Sequence, residues 1–267
     1  MIRALPWSGR IGLGLVVFWL AVSLVGPWLA PHGVGDFVDM DVFSGLSARF
    51  PLGSDYLGRD VFSRLLYGAR YTVLLGLGAA LLASLMGTSL ALFSAVNGGW
   101  IDEVVSRAMD TLTSIPSKVL ALVLVAAFDS TLGLLLVICA ITYAPGSFRI
   151  ARALAMNLLQ LDFVTAARAR GEGKFYIALG EVLPNMVGPL LADLGLRCVF
   201  VVLLLSGLSF LGLGVQPPYA DLGSLVRENI SGLSDGAPAI LAPALAIASL
   251  TVGANLLIDA IRTGGDR

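Results

Sequence analysis

An all-α polytopic membrane protein with six transmembrane helices is the fold class that this 267-residue sequence predicts. Three observations carry the prediction. Apolar residues make up 57% of the chain, charged residues only 13%, and the mean hydropathy is +0.88; soluble chains carry about 25% charged residues. No charge falls between Arg70 and Asp102, a run longer than the ~20 residues that a bilayer requires. Such runs recur without the alternation of barrel strands, and an open chain in lipid satisfies its backbone only as helix. The net charge of −1 offers no basic surface to nucleic acid.

The first span is expected over residues 11–30. Arg3 and Arg10 precede it, a layout shared with signal peptides. The run ends in "GPWLAPHG" without a small-x-small cleavage pattern, so an uncleaved helix is expected. In the outer loop that follows, Asp55, Arg59 and Asp60 stand at the start of a short surface helix, and Phe62, Leu65 and Leu66 form its apolar face. Pairing among these charges reads as structural. His32 stands alone, with no metal or catalytic role expected.

The second span, 71–96, carries Gly76, Ala80, Ala83, Gly87 and Ala91, small residues that allow close helix packing within the chain or against another subunit. The third and fourth, 112–128 and 131–148, form a tight pair with Asp129-Ser130 as the turn, and Lys118 snorkels at the inner end. The fifth covers 185–205. Inside it Asp193 and Arg197 stand one turn apart, either satisfying each other or serving a pathway or gate. At its outer end Gly212 and Gly214 loosen the helix and Pro217-Pro218 stop it, as a plain terminus or as a gate, hinge or receptor contact. Residues 237–258 make the sixth. Cys139 and Cys198 lie inside apolar runs and read as small hydrophobes.

With the N-terminus inside, cytoplasmic segments hold eleven Lys and Arg residues and outer loops five, Arg49, Arg59, Arg64, Arg70 and Arg227. This favours both termini in the cytoplasm. The organisation is then a first helix with an outer loop over 1–70, and a five-helix domain over 71–267. The longest inner loop lies at about 149–184, and loops of that length are functional or disordered.

This loop has the signals of order. Asp162 reads as an N-cap, with Phe163, Ala166, Ala167 and Arg170 following at helical spacing. Gly171 is placed to end the helix in a left-handed conformation. A second short helix over about 174–182 would stop before Pro184. Its apolar face is small for resting on lipid headgroups, whereas alanines let another protein's backbone approach; the loop reads as a docking element.

Here the residues resemble a known family. Ala166-Ala167, Gly171 and Leu183-Pro184 resemble the "EAA…G…LP" loop of ABC importer permeases, where the loop is the coupling helix seated in the ATPase subunit. "PLGSDYLGRDVFSRLLYGAR" (51–70), "RAMDTLTSIPS" (107–117), "LSFLGLGVQPP" (208–218) and "NLLID" (255–259) followed by Arg262 resemble the dipeptide/oligopeptide/nickel subfamily, in its order and spacing. Four positions depart: the acidic residue of the loop motif is Thr165, the tryptophan after "QPP" is Leu222, a terminal glycine is Ile258, and the acidic residue common just before "LSFLG" is replaced within "LLLSG". The Thr165 departure shifts docking onto Asp162 or Glu172.

The resemblance implies a type I importer permease fold in the bacterial inner membrane. It implies a homologous second permease, two ATPase subunits and a periplasmic or extracellular solute-binding protein as partners. ATP and Mg would sit on those ATPases, with no cofactor or metal on this chain. Consistent with this, no catalytic constellation is present: "RGEGK" (170–174) has Arg168 where a phosphate loop needs glycine, and HExxH and GxSxG are absent. A stand-alone secondary transporter or channel is the alternative, but no internal repeat is visible and Asp193 is the one carboxylate well within a span.

Overall fold

The computed structural model describes residues 6–265 apart from 40, 48, 49, 129 and 235. Asp129 of the expected turn, and Arg3, Arg49 and Arg267 of the charge count, lie outside the described residues, as does the side chain of Arg262. The protein is an all-α polytopic membrane fold. Ten helices follow one another in the described chain: α1 Trp7–Leu29, α2 Val61–Asn97, α3 Gly99–Ser114, α4 Ser117–Phe128, α5 Leu132–Leu158, α6 Asp162–Ala169, α7 Lys174–Tyr176, α8 Leu183–Phe210, α9 Leu222–Glu228 and α10 Pro238–Gly265. A π-helical turn, Ile177–Val182, joins α7 to α8, and a 3-10 turn, Ile230–Leu233, follows α9. Five helices are long and apolar enough to cross a membrane, and the pair α3–α4 supplies a sixth if read as one span.

Three of these elements differ from the sequence reading. The expected surface helix before residue 71 is the first part of α2, which runs unbroken for 37 residues. The charges that suggested a loop are accommodated inside the fold, as described below. The expected third span is broken: α3 and α4 meet at 88°, because Pro116 forces Ile115 out of helical geometry to ψ 126°. The helix expected to stop before Pro184 does not stop. Pro184 lacks an N–H, and its ring clashes with the carbonyl four residues back in an α-helix. The chain widens into a π turn there, with Leu183 N–H donating to Ala178 O. Lys174–Phe210 is thereby one 37-residue helix, about 55 Å long at 1.5 Å per residue.

Small residues set the packing. A Cβ on Gly87 would lie 2.6 Å from Ala144 O and Phe148 N, so α2 crosses α5 at backbone distance. Ala80, Ala83 and Ala91 on the same helix are fully buried. Gly12 and Gly253 do the same where α1 crosses α10. The short α9 tucks between α2 and α8, its Leu222 N–H donating to Thr72 Oγ1 at 3.0 Å and its Gly223 facing Ser206 O.

Candidate functional site

The loop between α5 and α8 is built from both sides. α6 buries Val164 and Ala167 in one apolar cluster with Ala155, Leu159, Ile177, Ala178 and Val182, a cluster that Leu92 and Ala95 of α2 also join, and its packing is on the Ile177–Val182 turn. The buried stripe is therefore one residue displaced from the one expected: Ala167 faces in, while Ala166 and Arg170 face out. Asp162, Thr165, Ala166 and Ala169 form an exposed stripe at i, i+3, i+4 and i+7. Asp162 is the first helical residue and not the cap; Leu161 holds that position without a side-chain bond. In the first turn the carboxylate still meets the positive end of the helix.

Gly171 ends α6 as expected, at φ 85°. Its N–H donates to Arg168 O at 3.0 Å and that of Glu172 to Ala167 O at 3.2 Å, the paired bonds of a Schellman motif. Arg170 reaches Glu181 at 3.2 Å in an exposed contact, which contributes little. Leu183 and Pro184 lie inside the continuous helix, Leu183 half-buried and Pro184 exposed. The sequence reading missed Phe175, which is 78% exposed beside the turn. An aromatic pair directly after "GEGK" was its only available signal.

Within the membrane Asp193 and Arg197 do pair, Arg197 Nη2 donating to Asp193 Oδ1 at 3.0 Å. Ser147 of α5 donates to Asp193 Oδ2 at 2.8 Å. A Cβ on Gly146 would lie 2.3 Å from Arg197 Nη1, so the guanidinium lies flat on α5. The pair is thus an inter-helix bond as well as an i,i+4 bond. At the end of α5 nearest α6, Arg152 holds Asp102 of α3 through Nε and Nη2, with the Nε bond at 2.7 Å.

At its C-terminal end, away from α6, α8 stops at Phe210 through Gly212, φ 86°, whose N–H donates to Ser209 O while Leu213 N–H donates to Leu208 O. The glycine ends the helix; Pro217 lies downstream of that stop and does not cause it. A Cβ on Gly214 would lie 1.7 Å from Ser209 Oγ. That hydroxyl donates to Asp221 Oδ2 at 2.7 Å. Burial pushes the Asp221 carboxyl up, against the Ser209 and Ser224 donors that favour its ionised form. Nearby, Asp55 Oδ2 accepts from Arg59 Nε at 2.8 Å and Arg64 Nη1 at 2.7 Å, and Glu228 of α9 accepts from the same two arginines. The expected pairing of Asp55 with Arg59 is present, and Glu228 is its unforeseen partner. Asp60 caps α2 and lies 3.2 Å from His32 Nδ1. Among the described residues no three His, Cys, Asp or Glu side chains gather as a metal site.

Residues 79–264 match the profile of the binding-protein-dependent transport system inner membrane components. The chain is 30% identical to a dipeptide transport system permease of Haemophilus influenzae, covering 96% of this chain and 89% of that one. It is 32% identical to a glutathione transport system permease of Pectobacterium atrosepticum (99% and 88%), and 34% identical to a probable D,D-dipeptide transport system permease of Escherichia coli (93% and 83%). Its fold is similar to a chain of the inward-facing MetNI methionine ABC transporter, with a TM-score of 0.59 at 17% identity over 75% of this chain and 96% of that one.

Proposed function

The chain belongs to the binding-protein-dependent transport system inner membrane components, membrane permeases of ABC importers whose ATP hydrolysis sits on a separate subunit, and on that premise we propose that it passes peptides or similar small solutes by alternating access. The peptide reading is supported by the names of its relatives. The glutathione permease among them keeps peptide-like solutes within the same class. This membership displaces the stand-alone transporter.

In this reading α6 is the coupling helix. The supporting observation is its two-sided construction: Val164 and Ala167 fasten it to the Ile177–Val182 turn at the base of α8, while Asp162, Thr165 and Ala166 face outward. A partner seated on that stripe meets small and polar side chains that admit close approach. Because the helix from Lys174 to Phe210 is unbroken, force passed from α6 across the Gly171 turn reaches the outer loop at Gly212 along a single helix. The loop faces the cytoplasm, as do both termini. One such chain pairs with a homologous permease over two ATPase subunits, where ATP and Mg bind, and a solute-binding protein docks on the outer face. Gly212, Gly214 and Pro217 form the outer gate region. Asp193 and Arg197, paired with one another and tied to Ser147 through the carboxylate, fix α8 to α5 beside the path.

The test is Ala166→Trp set against Ala167→Trp. The first should leave the protein in the membrane but strip the ATPase from the purified complex, with uptake falling roughly 30-fold, as for loss of an interface hot spot. The second should lower the amount of folded protein. An Ala166→Trp variant that keeps its ATPase and its uptake sinks the docking assignment.

A further inference from the structure

Between α2 and the α7–α8 helix runs a groove of about 710 Å³. Leu85, Phe93, Phe175 and Leu191 line it, and each is exposed within the chain. Its wall is almost wholly apolar. Among the described residues that line it there is no acid and a single base, Lys174. That lysine stands at one end, where Nζ donates to Asn97 Oδ1 at 3.1 Å, which leaves the remaining ammonium donors to solvent or ligand. Along α8 the lining runs from Lys174 to Leu194, about 30 Å, more than the ~15 Å of one leaflet's hydrocarbon.

We propose that this groove binds an anionic phospholipid of the cytoplasmic leaflet, with an acyl chain between Leu85 and Leu191 and its phosphate at Lys174. The inward orientation of the 149–184 loop, argued above, is the one premise it borrows. The two ends of the groove match the two ends of such a lipid. A peptide laid along this wall would find polar partners only on α2, at Ser84, Thr88, Ser89 and Asn97, and would leave the backbone groups that face the α7–α8 helix beyond Lys174 without any. A neighbouring apolar helix would account for the leucines but not for a cation at the cytoplasmic end alone. Cationic sites between membrane helices on that side select anionic headgroups.

The experiment is native mass spectrometry of the intact complex released from nanodiscs of equal phosphatidylglycerol and phosphatidylcholine. Wild-type protein should retain phosphatidylglycerol in preference. Lys174→Gln should reduce that preference roughly fivefold, the effect of one lysine near a charged surface. Leu85→Trp, which fills the groove from a lipid-facing position, should release lipid of either kind. Equal retention of both lipids by wild type, or retention of neither, overturns the proposal. So does crosslinking of Leu85→Cys to another subunit, which would make the groove a protein interface. Retained lipid mass is read without transport and without a bound ATPase, so failure here and failure of the docking assignment are separate results.

Discussion

Gly171 and Asp193 show two ways in which a single residue matters. At Gly171 the backbone is left-handed, and nothing lies within 4 Å of where a Cβ would stand. The cost of a side chain is therefore conformational, about 1–2 kcal/mol for an L-residue in that region and greatest for a β-branched one. Gly171→Val should distort the path from α6 to α7 and abolish coupled uptake while membrane insertion stays normal; uptake and membrane-fraction immunoblots check both. Asp193 is the opposite case, held on all sides. Asp193→Ala strands the Arg197 guanidinium against α5, and losing one member of a buried pair costs about 3–5 kcal/mol. Thermal unfolding in detergent should show it, with Ser147→Ala producing a much smaller drop. Gly171 could be read from sequence because its signal is local: a helix pattern, then glycine. Ser147 and Glu228 could not, because each meets its partner across a chain separation that no periodicity encodes.

Among the elements, long charge-free runs were legible and the joints between them were not. Hydropathy averages over a window, so it joined the end of α3 to α4 and passed over the 88° bend at Pro116. Arg64 and Arg70 marked the start of α2 as a loop, yet Arg64 is buried by Asp55 and Glu228 and the helix runs through it. By the ordinary rule Pro184 reads as a stop, and the π turn removes the clash on which that rule rests. The stripe of small residues on α2 was legible; within it Gly87 meets α5 and Gly76 meets Val202 of α8. Gly87→Leu should push these helices apart, at about 1–3 kcal/mol for overpacking. Its melting temperature should fall well below that of Gly14→Leu, where a Cβ meets open space on the helical backbone of α1.

For the whole molecule, the family match begins at residue 79, and what precedes it is fastened to the rest both by close helix packing and by charge. Gly12 and Gly253 seat α1 on α10, and Arg59 and Arg64 fasten the segment that leads into α2 to Glu228 on α9. Glu228→Ala should loosen the outer segment from α9. Protease cleavage within residues 36–57 should then become faster, while ATPase recovery with the purified chain is unchanged. The Asp193–Ser147 bond has a further consequence through its position. It lies about 28 Å from Lys174 and about 26 Å from Phe210 along the helix, near the midpoint. A stiff bar held at its middle is a seesaw with nearly equal arms, so its ends travel in opposite senses by similar amounts. Spin labels at Phe175 and Phe210 should move oppositely during turnover, and Asp193→Ala should break that anticorrelation by freeing the fulcrum.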